Sequence, residues 1–134
     1  MSKLTGGCHC GEARYEVTGA PHFSCVCHCP SCRKAAGAPI VGWAMFDGAA
    51  VSCDRSKTRV FESSEGVRRS FCPACGTTLF FAADVISGLI DITTESFDDP
   101  DAVRPNAQIW TSNETECVRQ LSSMVRFEEL PPQE

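Results

Sequence analysis

A chain of 134 residues is long enough to bury a modest core, and we expect residues 1–134 to form a single domain with a frayed tail over 130–134. Its 43% hydrophobic and 22% charged residues are ordinary for a globular protein, and no run of about 18 apolar residues predicts a membrane span. The net charge of −5 argues against a nucleic-acid partner, and the first residues lack the apolar core of a secretory signal. We therefore expect a cytoplasmic protein without a nucleic-acid or membrane partner.

Short strands dominate the predicted elements. In the first strand, at 13–18, Ala13, Tyr15 and Val17 alternate with polar residues. A helical turn is predicted at 30–36 because proline suits its first position and Gly37 its end. A turn or short helix start is expected at 98–101. Further strands are predicted at 40–46, 58–62, 67–71, 77–82, 88–93, 107–111 and 124–127. The pattern predicts a mainly β protein of small antiparallel sheets, either a sandwich or an open, folded sheet, with one short helix.

The chain contains ten cysteines, an unusual number for a cytoplasmic protein. In a reducing compartment, cysteines indicate metal binding or thiol chemistry rather than disulfides. Two pairs, Cys8 with Cys10 and Cys27 with Cys29, are separated by a single residue. Such clusters suit thiolates that converge on one cation better than well-formed disulfides.

The first predicted metal site combines Cys8 and Cys10 with Cys72 and Cys75. In an extended Cys-x-Cys both sulfurs lie on one face, and the Cys-x-x-Cys before Gly76 resembles a zinc knuckle. Four thiolates predict a closed, structural zinc that joins the N-terminal strand to the middle of the chain. A redox-active Cys72–Cys75 pair is the weaker interpretation, because no thioredoxin-like βαβ pattern surrounds it.

The second predicted site uses Cys27, Cys29 and Cys32. Three protein ligands leave one tetrahedral position for a substrate atom, as in catalytic zinc sites, and a thiolate-rich site favours a soft fourth ligand such as a substrate thiolate. Cys25 offers an alternative, since a fourth sulfur would close the site. Three alternating ligands on a straight strand span about 13 Å, however, which argues against sharing one ion. His28 is interpreted as a loop residue whose ring points away from the metal.

Several segments together resemble the glutathione-dependent formaldehyde-activating enzyme (Gfa) family. The matching segments are GGCHCG at 6–11, RYEV at 14–17, CHCPSCRKAAGA at 27–38, RSFCPACGTTLF at 69–80, RP at 104–105 and IW at 109–110. The resemblance implies a β-tent fold. It also implies a structural zinc at Cys8, Cys10, Cys72 and Cys75, and a catalytic zinc at Cys27, Cys29 and Cys32.

The activity implied by this resemblance is that of a carbon–sulfur lyase, which joins glutathione and formaldehyde as S-hydroxymethylglutathione. The expected partners are accordingly a glutathione-like thiol and an aldehyde, and the expected cofactors are two zinc ions. The alternative is a non-catalytic zinc module that binds a protein or a small thiol, since a fold does not determine function. A redox sensor that uses Cys25 and Cys27 is a third hypothesis.

Overall fold

The computed structural model describes residues 2–133, which contain ten strands and two short helices. The strands are β1 (Lys3–Gly7), β2 (Arg14–Thr18), β3 (Phe23–Cys27), β4 (Val41–Asp47), β5 (Val51–Cys53), β6 (Arg59–Ser64), β7 (Val67–Phe71), β8 (Thr78–Ala83), β9 (Leu89–Thr93) and β10 (Gln108–Ile109). The helices are α1 (Pro30–Ala36) and α2 (Glu116–Arg119). Within 2–133, no helix is long and apolar enough to cross a membrane. The predicted mainly β fold is confirmed.

The strands form two sheets. The smaller has the order β1-β2-β5, and the larger has the order β10-β3-β4-β9-β8-β7-β6. Neighbouring strands are antiparallel, except that β10 runs parallel to β3. An isolated bridge between Gly6 and Phe97 joins β1 to the segment after β9. This bridge places the end of β1, and the turn that follows it, next to the segment after β9.

One face of the large sheet packs against the small sheet and forms the main core. Tyr15 of β2 makes edge-on contacts with Phe80 and Phe97, at ring-centroid distances of 5.5 and 5.6 Å. Its buried hydroxyl forms a 2.8 Å hydrogen bond with the Ser96 hydroxyl. Because side chains alternate along a strand, the opposite face of the large sheet carries a second set of buried residues that includes Cys25, Cys27 and Trp43. That face holds one of the two cysteine clusters.

Helix α1 begins and ends as the sequence predicts. Pro30 occupies its first turn, and the Cys29 sulfur accepts a 3.3 Å hydrogen bond from the Cys32 N–H, which caps the helix. Gly37 ends the helix in the left-handed conformation, with φ of 64°, where a glycine carries no steric penalty. The prediction of a helix at 30–36 is confirmed.

Some strand predictions were wrong. No strand forms at 124–127, where Val125 is 80% exposed and has no sheet to cover. Strands β1, β3 and β5 were absent from the predicted set. In β1, Gly6 lowers the strand propensity, yet a Cβ there would come within 2.3 Å of the Tyr15 hydroxyl, so the packing between β1 and β2 requires glycine. The short helical turn Pro100–Ala102 agrees with the prediction at 98–101.

Candidate metal centres

The first cluster brings together the four cysteines predicted to share a zinc ion. The sulfurs of Cys8, Cys10, Cys72 and Cys75 all lie within 4.8 Å of one another. Those of Cys8 and Cys10 are 3.6 Å apart, and those of Cys10 and Cys72 are 3.8 Å apart. A tetrahedral zinc with Zn–S bonds of about 2.3 Å requires sulfurs about 3.8 Å apart. The cluster therefore has the dimensions of a four-thiolate zinc site.

Backbone turns aim these sulfurs inward. After β7 the Gly76 N–H donates a 2.7 Å hydrogen bond to the Cys72 carbonyl, and the φ of 82° at Gly76 needs glycine. On the other side, the Ala13 N–H donates to the Cys8 sulfur at 3.2 Å. Hydrogen bonds from the Thr77 hydroxyl and backbone N–H lower the pKa of the Cys75 thiol to about 5. A thiol with a lowered pKa is present as thiolate, the form that binds metals.

The second cluster contains the three cysteines predicted to form an open site. The sulfurs of Cys27, Cys29 and Cys32 lie within 4.8 Å of one another. They come from the end of β3, the cap of α1 and the first turn of α1. Because the chain bends at Pro30, residues that would diverge along a straight strand converge here. Three soft donors fit a thiophilic ion such as zinc and leave one tetrahedral position without a protein ligand.

Cys25 does not belong to this group in the described part of the chain. It is buried on β3, one alternation before Cys27, and lines the same cavity. Burial, with smaller contributions from Asp91 and Cys32, raises the pKa of its thiol to about 11. The structure thus gives the second cluster three sulfurs, and the geometric argument against a fourth agrees with it.

A buried arginine lies against the second cluster. Arg69 of β7 is only 6% exposed, and its two terminal nitrogens donate to the Cys32 sulfur at 3.6 and 3.7 Å. Its Nε donates to the Ser63 hydroxyl at 3.2 Å, and its guanidinium lies 5.0 Å from the centre of the Phe81 ring. The sequence analysis assigned Arg69 no role. Because side chains alternate along a strand, Arg69 lies on the same face of β7 as Val67, and this face carries the cluster. That alternation is the sequence feature from which the position of Arg69 could have been predicted.

A cavity of about 530 Å³ opens beside the three sulfurs. Its floor is the face of the large sheet, and its rim includes Ile109, Trp110 and Asn113. A larger cavity, of about 640 Å³, lies beside the four-cysteine cluster. A metal held by four sulfurs would have no tetrahedral position left for a substrate atom, whereas one held by three sulfurs would have one facing the 530 Å³ cavity.

Asp91 of β9 lines the 530 Å³ cavity, and sequence reasoning missed it as well. Burial raises the pKa of its carboxyl group to about 6. Within residues 2–133 its carboxylate has no hydrogen-bonding or ion-pairing partner. The other ionisable groups lining the cavity are Arg69, Cys25 and the three clustered thiols. A carboxyl group in such surroundings favours its neutral form and can exchange a proton near neutral pH.

Asp91→Asn should stabilise the protein at pH 7 and leave its stability nearly unchanged near pH 4. Below the usual pKa of 3.8 the carboxyl is neutral in both folded and unfolded chains. Between pH 3.8 and about pH 6, Asp91 ionises in the unfolded chain before it ionises in the folded one. The wild type therefore loses stability as the pH rises through this range. Raising the pKa of Asp91 from 3.8 to about 6 corresponds to a difference in unfolding free energy of at most about 3 kcal/mol.

Urea unfolding of both proteins from pH 4 to 8 measures this difference. Zinc content measured in both proteins at each pH separates metal loss from the effect of the Asp91 charge, because Asp91 lines the cavity beside the three-cysteine cluster. A difference that does not change with pH contradicts the prediction.

The three histidines lie outside both clusters. His28 was interpreted as a loop residue, but it is fully buried; its Nε2 lies 2.9 Å from the Gln108 Oε1, and its Nδ1 has no partner within residues 2–133. The hydrogen bond joins β10 to the end of β3, which explains the burial. His9 and His22 are exposed, and His22 pairs with Asp47.

The structure therefore defines the class as a small β protein with two candidate thiolate metal sites, held by two β-sheets and one capped helix. A family model for the glutathione-dependent formaldehyde-activating enzyme matches residues 3–113, and the chain belongs to this family. The resemblance found in the sequence is thereby confirmed.

Two relatives extend the comparison. The chain is 32% identical over 83 residues to an uncharacterized lyase of Schizosaccharomyces pombe. The match covers 61% of this chain and 59% of that protein, so the chain spans less than two thirds of the curated relative. A crystal structure of a Rhodobacter sphaeroides protein superposes with a TM-score of 0.62 at 20% identity, covering 78% of this chain and 98% of the other. The second likeness concerns the fold alone.

Proposed function

We propose that the protein is a zinc-dependent carbon–sulfur lyase that forms or cleaves a thiol–aldehyde adduct, such as S-hydroxymethylglutathione. The observation that carries this proposal is the convergence of three sulfurs, without a fourth, at a cavity large enough for a substrate. Family membership and the name of the yeast relative support a lyase. We also propose a cytoplasmic location, which the ten unpaired cysteines support, and a single domain, which the core shared by the two sheets supports.

Two zinc ions are part of the proposal. Cys8, Cys10, Cys72 and Cys75 hold a structural ion, and Cys27, Cys29 and Cys32 hold a catalytic one. Zinc bound at three thiolates supplies a coordination position that stabilises a substrate thiol as thiolate and orients it towards a carbonyl carbon. The three cysteines would hold the ion where their sulfurs line the cavity.

Side chains of the cavity transfer the proton and compensate the charge of the thiolates. The Asp91 carboxylate accepts the proton of the incoming thiol. As the new carbon–sulfur bond forms and the carbonyl π bond breaks, Asp91 returns that proton to the aldehyde oxygen, so the addition needs no other acid. The reverse sequence cleaves the adduct. Arg69 offsets the negative charge of the three thiolates through Cys32.

Cys29→Ser should remove the second zinc and the thiol site while the fold survives. Cys29 is half-buried at the helix cap, and serine can still accept the capping hydrogen bond from the Cys32 N–H. The measurement is isothermal titration of glutathione into protein shown to carry two zinc ions, alongside the variant. We expect binding to the wild type, and a variant with one zinc and no detectable binding.

Cys117→Ser is the matched control, because Cys117 is exposed and belongs to neither cluster. It should keep two zinc ions and wild-type binding. If fully loaded wild type binds neither glutathione nor another small thiol and does not alter adduct formation, the lyase proposal is wrong. The non-catalytic zinc module is then the better interpretation, although the geometry favours it less, since a purely structural second site calls for four sulfurs.

A further inference from the structure

The walls of the cavity beside the three sulfurs are largely apolar. The large sheet contributes Phe23, Trp43, Met45 and Phe81 to its floor, and Ile109 and Trp110 stand at its rim. Trp43 and Phe81 are in contact, with ring centroids 5.9 Å apart. Phe23 is 43% exposed and Trp110 62% exposed, so part of this apolar lining faces water. An apolar group that covers these residues removes their surface from water, which favours its binding.

The charged groups of the cavity also favour an apolar ligand. Arg69 is the only cation among its lining residues within 2–133, and its three nitrogens are directed at Cys32 and Ser63. In the described part of the chain, Asp91 supplies the one carboxyl group of the lining. Glutathione carries two carboxylates, and a carboxylate taken out of water needs a cation or several N–H donors. Among the described residues the lining offers no free cation for either carboxylate, and an ionised Asp91 repels both while it can pair with the single ammonium group of glutathione.

We propose that the thiol accepted at this site is uncharged and carries an apolar substituent, aromatic or aliphatic, in place of the charged arms of glutathione. This inference rests on the proposed function, because it names the thiol of the same reaction. The sulfur takes the position left by the three cysteines, and the substituent lies along Phe23, Met45 and Trp43. The aldehyde then approaches from the side of Asp91.

Isothermal titration with a thiol series tests this on the zinc-loaded protein. Ethanethiol, propanethiol and butanethiol differ by single methylenes, each of which should tighten binding about fourfold if it is buried against the apolar wall. Benzyl mercaptan should bind at least about tenfold more tightly than glutathione, in keeping with the area that an aromatic ring buries. Cys29→Ser should abolish the binding of every member.

The outcomes separate this inference from the proposed function. If glutathione binds more tightly than benzyl mercaptan, or the alkyl series is flat, the apolar-thiol inference is overturned while the lyase proposal stands. If no thiol binds to protein carrying two zinc ions, the lyase proposal itself fails.

A charge placed on the wall gives an independent test. Phe23→Arg should reverse the preference, strengthening glutathione binding and weakening that of benzyl mercaptan, because it supplies the missing cation at a half-exposed position. Phe23→Leu, which keeps the wall apolar, should retain the wild-type order. If the two variants show the same order of thiols, the wall at Phe23 does not set the selectivity and the inference is overturned.

Discussion

Cys72→Ser is expected to unfold most of the protein at ordinary temperatures, the largest effect predicted for a single substitution in this chain. Cys72 is completely buried within the main core, where its sulfur joins the turn after β7 to the turn after β1. Structural zinc contributes an apparent free energy of about 10–16 kcal/mol in zinc-finger peptides, whereas a typical domain is stable by about 5–15 kcal/mol. Losing even part of that contribution removes most of the free energy by which the folded state is favoured.

The first measurement is zinc content by mass spectrometry, which should fall from two ions to one in the fraction that stays folded and lower in the unfolded fraction. The second is calorimetry. A loss of about 4 kcal/mol should lower the Tm by about 15 °C, and a larger loss should abolish the cooperative transition. A chelator that removes both ions should lower the Tm of the wild type by at least as much.

Cys117→Ser is again the control, since it changes one thiol to a hydroxyl on the surface without touching a cluster. It should keep the wild-type Tm and both ions. A Cys72→Ser protein that melts at the wild-type temperature would show that the four-cysteine cluster does not stabilise the fold. If it did so with two zinc ions bound, the assignment of this ligand set would be wrong as well.

Local patterns in the sequence predicted much of this architecture. Helix α1 was predicted with its bounds because proline and glycine act at its two ends through backbone geometry alone. Strands β7 to β9 were predicted because each combines β-branched or aromatic residues with turns at both ends. The cysteine groupings followed from spacing, and the sulfurs do converge as two groups. Their roles as zinc ligands stay predictions.

Other features depended on contacts between distant segments, which local patterns do not record. Strand β1 contains two glycines and forms because β2 pairs with it. The parallel pairing of β10 with β3 could not be anticipated from a two-residue strand. Asp91, between two isoleucines, has the pattern of a half-buried strand whose polar side faces water. Only the register of β9 against β4 and β8 places it in the cavity.

Arg69→Met is expected to weaken zinc binding at the second cluster by about 10–100-fold, the range typical of groups that hydrogen-bond to metal ligands. Three thiolates around a divalent cation carry one net negative charge, and this charge is buried where Arg69 contacts Cys32. Methionine has a comparable length but neither charge nor N–H donors, so that charge would stay uncompensated. Competition with a zinc-binding dye measures the affinity, and the first ion, held at the other cluster, should be retained.

Arg69→Lys and Arg68→Met separate charge from packing. Lysine keeps the positive charge but cannot direct two N–H groups at one sulfur, so it should recover only part of the zinc affinity. Arg68 is the neighbouring residue, exposed and paired with Asp84 at 2.9 Å, and its loss should leave both zinc affinities unchanged because exposed ion pairs contribute about 0–1 kcal/mol. If Arg69→Met binds its second zinc as tightly as Arg68→Met does, the buried guanidinium does not stabilise the thiolates. Arg69 would then serve the packing of Phe81 alone.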